Sequence, residues 1–79
     1  MVDNMLEQKI KQDCLIHIGK NIRMLRKNQG IGQTELIKKL QLIGLDMTRE
    51  TLVKIERGIQ HIQASQLKAI RDALNTTYD

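Results

Sequence analysis

Apolar residues recur at spacings of three and four along most of the chain, a pattern that predicts amphipathic α-helices. Helices are predicted over about 15–28, 33–40, 49–57 and 64–74. Their inward-facing residues are predicted to be Leu15, Ile18, Ile22 and Leu25; Leu36, Ile37 and Leu40; Leu52 and Ile55; and Leu67, Ile70, Ala73 and Leu74. The predicted fold class is all-α, a compact bundle of four to five short helices, because Tyr78–Asp79 could open a fifth.

Residues with capping chemistry separate these helices. Thr48 is the predicted N-cap of the third helix, where its hydroxyl can accept a free backbone N–H. Met47 and Leu52 flank that cap at the spacing of a hydrophobic staple. Left-handed caps or stop signals are predicted after the first three helices, at Gly30, Gly44 and Gly58.

Residues 1–14 form an N-terminal extension to the main domain, which is predicted to cover residues 15–79. Met5, Leu6, Ile10 and Cys14 share one weak helical face. The extension is therefore predicted either to continue the first helix backwards, to form a short separate helix, or to be a frayed tail. If it is helical, it could pack on a second chain.

The composition limits the class of protein. A chain of 79 residues allows one domain with a small core, which is aliphatic because Phe and Trp are absent and Tyr78 is the only aromatic residue. There is no apolar run of roughly 18 residues that would predict a membrane span, and the N-terminus lacks the pattern of a secretory signal. A single cysteine, Cys14, cannot form an internal disulfide, which favours a cytoplasmic setting.

Positive charge is concentrated in the middle of the chain. The formal net charge is +4, but residues 14–63 alone hold nine basic and four acidic groups, a local balance of +5. Such an excess is typical of proteins that bind the phosphates of nucleic acid. The alternative is an ordinary solvated basic surface.

The segment from Gln33 to Gly58 predicts two short helices joined by a connection, the second of which presents polar residues outward. Two helices at a steep angle, with a polar second helix, form the geometry that places a helix in the DNA major groove. The chain also resembles the phage-repressor and Cro-like (XRE) helix-turn-helix family over about 18–79. The motifs that carry the resemblance are IGKNIRMLR, GQTEL, LVKIERG and LKAIRDALN.

The resemblance implies a lambda-repressor-like DNA-binding domain whose partner is double-stranded DNA. The residues that it places against base edges are Thr48, Arg49, Glu50 and Lys54. The residues that it places beside the DNA backbone are Gln33, at the start of the second helix, and Arg57, Gln60 and His61. It also implies a structural ion pair between Arg26 and Glu56.

Two features depart from the family pattern. The connection before Thr48 is about one helical turn longer than usual, and Ile37 replaces the small residue that normally lets the two helices approach. We expect the longer connection to accommodate this larger side chain, with Leu42, Leu45 and Met47 repacked around it.

The predicted function is a sequence-specific transcriptional regulator, expected to be a repressor, that binds an inverted-repeat operator as a homodimer. The dimer interface is predicted around Leu6 and Ile10 or around Leu74 and Tyr78. The alternatives are a helix-turn-helix protein-interaction module and the antitoxin of a toxin–antitoxin pair. No catalytic residue, metal site, cofactor or membrane partner is expected, because two distant histidines and one cysteine suggest no metal cluster and no phosphate loop is present.

Overall fold

The computed structural model describes the backbone of residues 4–75 and the side chains of residues 11–75. Within that part the chain forms four α-helices and no strand. The helices are α1 (Asn4–Asn28), α2 (Gln33–Leu42), α3 (Arg49–Glu56) and α4 (Ala64–Asn75). The predicted all-α class is confirmed, while the possible fifth helix at Tyr78–Asp79 lies outside the described residues.

The first helix is longer than predicted. It begins at Asn4 rather than Leu15 and runs for 25 residues, so it is about 37 Å long at 1.5 Å per residue. Of the alternatives for the N-terminal extension, the structure therefore has the one in which helix one continues backwards, from Asn4 onward. Residues 11–14 of this helix are exposed, and Leu15 is half-buried.

The core lies where the four helices meet. Six large aliphatic side chains with under 2% exposure form its centre, namely Leu36, Leu40, Leu52, Ile55, Ile70 and Leu74. They come from α2, α3 and α4, and α1 adds Ile22. The inward faces predicted for α2 and α3 are confirmed, as are Ile70, Ala73 and Leu74 on α4.

The predicted stripe on α1 is wrong at its C-terminal end. Leu25 is 46% exposed, whereas the neighbouring Arg26 is only 6% exposed. The buried face passes from Ile22 to Arg26, a step of four residues, because the Arg26 guanidinium has a buried partner in Glu56. A charged residue thus takes the position that the periodicity gave to a leucine.

The long connection between α2 and α3 repacks only in part as predicted. Ile37 and Met47 are buried, and Leu45 packs against the core. Leu42, however, is 86% exposed. It lies two residues after the buried Leu40, about 200° further round the helix, and therefore points away from the core.

The predicted caps are confirmed. The Thr51 N–H donates to the Thr48 hydroxyl at 3.1 Å, and Gly30 and Gly58 adopt φ values of +70° and +75°. After α3, the Ile59 N–H closes back onto the Lys54 carbonyl at 3.1 Å. These left-handed turns end α1 and α3 sharply, which fixes where each helix can begin to contact its neighbour.

The backbones of α1 and α3 are in direct contact because of Gly19. A Cβ atom at Gly19 would lie 2.3 Å from the Ile55 carbonyl oxygen and 2.7 Å from that of Glu56. At Gly58, a Cβ atom would lie 2.8 Å from the Ile16 Cα. The C-terminal end of α3 is therefore held against α1 with no room for a side chain between them.

A buried ion pair joins the same two helices. The Arg26 Nε and Nη2 atoms donate to the two carboxylate oxygens of Glu56 at 2.7 and 2.8 Å, and both residues are 6% exposed. The third contact runs from Arg26 Nη1 to the Ile31 carbonyl at 2.9 Å. Hydrogen bonding to Glu56 raises the pKa of Arg26, against the opposing effect of burial. The predicted pairing is present, and it also fixes the turn into α2.

Replacing Gly19 with alanine is expected to destabilise the protein. In an open helix this change stabilises by about 1 kcal/mol, but here the methyl group would meet the Ile55 carbonyl, and such overpacking typically costs about 1–3 kcal/mol. We expect thermal unfolding, followed by circular dichroism, to show a lower Tm. Lys20→Ala, on the exposed neighbouring position, is the control. A Tm for Gly19→Ala equal to or above that of the parent would contradict the close contact.

The Arg26–Glu56 pair is expected to show strong coupling in a double-mutant cycle. Arg26→Ala or Glu56→Ala alone should cost about 3–5 kcal/mol of unfolding free energy, because each leaves a buried charge unpaired. The double variant should cost much less than the two together. The exposed Glu50–Lys54 pair, at 3.5 Å, serves as the control and should show coupling of at most about 0.5 kcal/mol. If the free-energy costs of the Arg26 and Glu56 variants simply added in the double variant, the predicted coupling of the pair would be refuted.

Candidate nucleic-acid interface

One side of α3 is polar and exposed. Arg49, Glu50 and Lys54 are all exposed, while Leu52 and Ile55 on the opposite side are buried. The structure therefore leaves open the side of α3 on which the sequence places base contacts. We call Thr48, Arg49, Glu50 and Lys54 the reading face.

The Thr48 hydroxyl is already engaged within the protein. It accepts the Thr51 N–H and donates to the Thr51 hydroxyl oxygen at 2.9 Å. The methyl group of Thr48 is consequently the part of its side chain best able to meet a partner such as a thymine methyl. Thr51, which is not among the residues predicted from the sequence, is half-buried and shares this end of the reading face.

Charge on the reading face is largely balanced. Lys54 Nζ lies 3.5 Å from Glu50 Oε1, one helical turn away. Arg49 is exposed and makes no ion pair with any residue of the described part. Its guanidinium therefore offers planar hydrogen-bond donors at the N-terminal end of α3, and this geometry suits paired acceptors such as guanine O6 and N7.

Gln33 forms a hydrogen bond to the buried ion pair. Its Nε2 atom donates to Glu56 Oε1 at 3.1 Å, and the residue is half-buried. The family resemblance predicts Gln33 beside a phosphate but does not predict this hydrogen bond. Gln33 is the first residue of α2, so the first backbone N–H groups of that helix lack intrahelical partners. They can donate hydrogen bonds to an anion. Glu56 thus fixes the position of the Gln33 side chain at the N-terminus of α2.

The other residues predicted to contact the DNA backbone lie in two places. Arg57 is exposed and borders a groove between α1 and α3 that also includes Gln33. His61 is exposed and Gln60 half-buried in the loop after α3, where His61 lies near Lys11 and Leu15 of α1. Arg57 and Gln33 are therefore brought together, while His61 is on a separate part of the surface.

Several cations of α1 line the same groove and were missed as site residues. We define the basic groove by Lys20, Arg23 and Lys27 of α1 and Arg57, which directly follows α3. All four are exposed. The signal that could have revealed them is their helical spacing of three and four residues on α1, together with knowledge of which helix α1 faces.

The described residues supply no metal-binding group. Between residues 11 and 75, no cluster of three or more His, Cys, Asp or Glu side chains could hold a metal ion. In the same part of the chain, no helix combines the length and apolar character needed to cross a membrane. Cys14 is a free, exposed thiol.

The structure corrects one proposed dimer contact. Leu74 is 1% exposed and belongs to the core of its own chain, so its side chain is not available to a partner. The side chains of Leu6 and Ile10, and all of Tyr78, lie outside what the structure describes.

Comparison with known proteins identifies the family. A model of the helix-turn-helix family matches residues 22–79, which is most of the chain. No curated protein and no solved structure matches the chain significantly. The match includes α2 and α3 and runs through the buried ion pair and the reading face. The chain therefore belongs to the helix-turn-helix family of XRE type, a family of DNA-binding regulators.

Proposed function

We propose that this protein is a sequence-specific transcriptional repressor that reads the DNA major groove with α3. The observation that carries the proposal is the placement of Arg49, Glu50 and Lys54 on the exposed side of a helix whose other side is fully packed. A helix held rigidly in this way can present side chains to base edges in a fixed register. Occupation of an operator by such a protein would block access of the polymerase.

Arg49 is the principal base-reading residue in this proposal. Its guanidinium has no ion-pair partner in the described part of the chain and can donate two parallel hydrogen bonds to a guanine. Glu50 can accept from a cytosine N4 amino group or orient Arg49. Lys54 can leave its pair with Glu50 to reach a base or phosphate, because exposed ion pairs contribute only about 0–1 kcal/mol.

The backbone of the DNA is held by groups that flank α3. Gln33 and the N-terminus of α2 bind one phosphate, where the helix dipole favours an anion. Arg57 binds next to it, since both residues border the same groove. Gln60 and His61, in the loop after α3, are proposed to contact the backbone further along.

The active form is proposed to be a homodimer on an inverted repeat. A single α3 offers only a few base contacts, each worth about 1–3 kcal/mol, and two copies reading half-sites about 34 Å apart would multiply the specificity. A cytoplasmic location fits this role.

The substitution Arg49→Ala is expected to reduce base preference while leaving the fold intact. Loss of a bidentate contact to guanine should weaken binding to the preferred duplex by about 1–3 kcal/mol and leave binding to a scrambled duplex nearly unchanged. Fluorescence anisotropy on duplexes recovered by selection from random sequence measures both affinities. Lys68→Ala, on the exposed side of α4, is the control. A protein-interaction module would show no selected sequence and no response to Arg49→Ala.

The stoichiometry on DNA tests the proposed symmetry. Selection from random duplexes at moderate salt is expected to recover an inverted repeat, and analytical ultracentrifugation is expected to find two chains on each such duplex. A monomer both in free solution and on the palindromic site would overturn the homodimer while leaving DNA binding itself in place.

A further inference from the structure

Most of the unpaired positive charge near α3 lies in the basic groove and not on the reading face. The reading face holds two cations and one anion, and Lys54 is close to Glu50. The basic groove holds Lys20, Arg23, Lys27 and Arg57, none of which makes an ion pair or side-chain hydrogen bond within the described part of the chain. The stronger electrostatic attraction for a polyanion is therefore beside α3, along α1.

The groove has the shape of an open channel between two helices. Lys20, Arg23 and Lys27 follow one another on one side of α1, so they extend over about 10 Å of that helix. Ile16 and Val53 form apolar parts of the walls, and Arg57 stands on the α3 side. The volume is about 650 Å³.

Among the residues that the structure describes, Glu56 is the carboxylate that borders the groove, and it is already paired. Glu56 accepts two hydrogen bonds from Arg26 and one from Gln33. Its charge therefore cannot pair with the four exposed cations around it, and their donors remain available. A groove lined by free cations and a satisfied carboxylate matches the charge of a phosphate chain.

The groove also adjoins the reading face. Val53 and Arg57 lie four and eight residues after Arg49, so they continue one side of α3 toward its C-terminal end. Gln33, at the start of α2, borders the groove as well. A DNA strand whose bases met the reading face would thus have its backbone directed along α1.

We infer that α1 adds a sequence-independent part of DNA binding, with Lys20, Arg23 and Lys27, together with Arg57 just after α3, binding consecutive backbone phosphates while α3 reads the bases. This inference rests on the proposed function, because it assigns a second surface to the same DNA ligand. It divides recognition between two surfaces: the basic groove adds affinity and salt dependence, and base preference comes from the reading face.

The test compares two matched double variants. Lys20→Gln/Arg23→Gln removes two cations from the groove, and Lys68→Gln/Arg71→Gln removes the same residue types at the same spacing from the exposed side of α4. Binding is measured by anisotropy across a series of salt concentrations, on the selected duplex and on a scrambled duplex. Because each phosphate contact contributes a slope of about −0.9 to log K against log salt, the groove variant should lose about 1.8 of that slope.

The expected result is equal weakening on both duplexes for the groove variant, an unchanged ratio between them, and no change for the α4 variant. A groove variant that keeps the parent slope, or that weakens binding only to the selected duplex, would overturn the inference while DNA binding stands. If the parent protein binds neither duplex at low salt, the proposed function itself fails. Should Lys20→Gln/Arg23→Gln lower the Tm, Lys27→Gln/Arg57→Gln tests the same surface, with the same expected loss of slope.

Discussion

The buried pair of Arg26 and Glu56 is the interaction on which the arrangement of the other elements depends. The Arg26 guanidinium donates hydrogen bonds to Glu56, the last residue of α3, and to the carbonyl of Ile31. The Glu56 carboxylate also accepts a hydrogen bond from Gln33 at the start of α2. Buried ion pairs contribute little net stability compared with apolar side chains of similar volume. We therefore interpret the pair as a device that sets orientation: it fixes the end of α3 and the beginning of α2 relative to α1.

The glycine contact makes this orientation rigid. Gly19 lets the backbone of α1 touch the last turn of α3, and the left-handed Gly58 ends α3 against Ile16. With one end of α3 fixed in this manner, its exposed side has a defined direction relative to the α1 cations. The proposed division between base reading by α3 and phosphate binding by α1 follows from that geometry, since neither helix can turn independently of the other.

The sequence predicted most of the local structure, because helical periodicity and capping chemistry depend on near neighbours. The bounds of α2 and α4 came within two residues, and the caps at Thr48, Gly30 and Gly58 were identified. The wrong predictions concern residues whose burial depends on the extent of a helix or on contacts between helices. Leu42 does not repack around Ile37 as predicted, because α2 continues to Leu42 and turns that side chain away from the core. Leu25 is predicted in the core because periodicity cannot show that Arg26 has a buried partner. The basic groove was missed for the same reason, as it exists only once α1 faces α3.

The central claim is that DNA meets the reading face and the adjoining basic groove. Its most direct test is an NMR titration of the ¹⁵N-labelled protein with the selected duplex, followed through the backbone amide shifts. We predict the largest changes at the start of α2, along α3 and at the following Arg57, and at Lys20 to Lys27 of α1, with small changes on the outer side of α4. Changes concentrated on α4, with the amides of α3 unmoved at saturating DNA, would contradict the account.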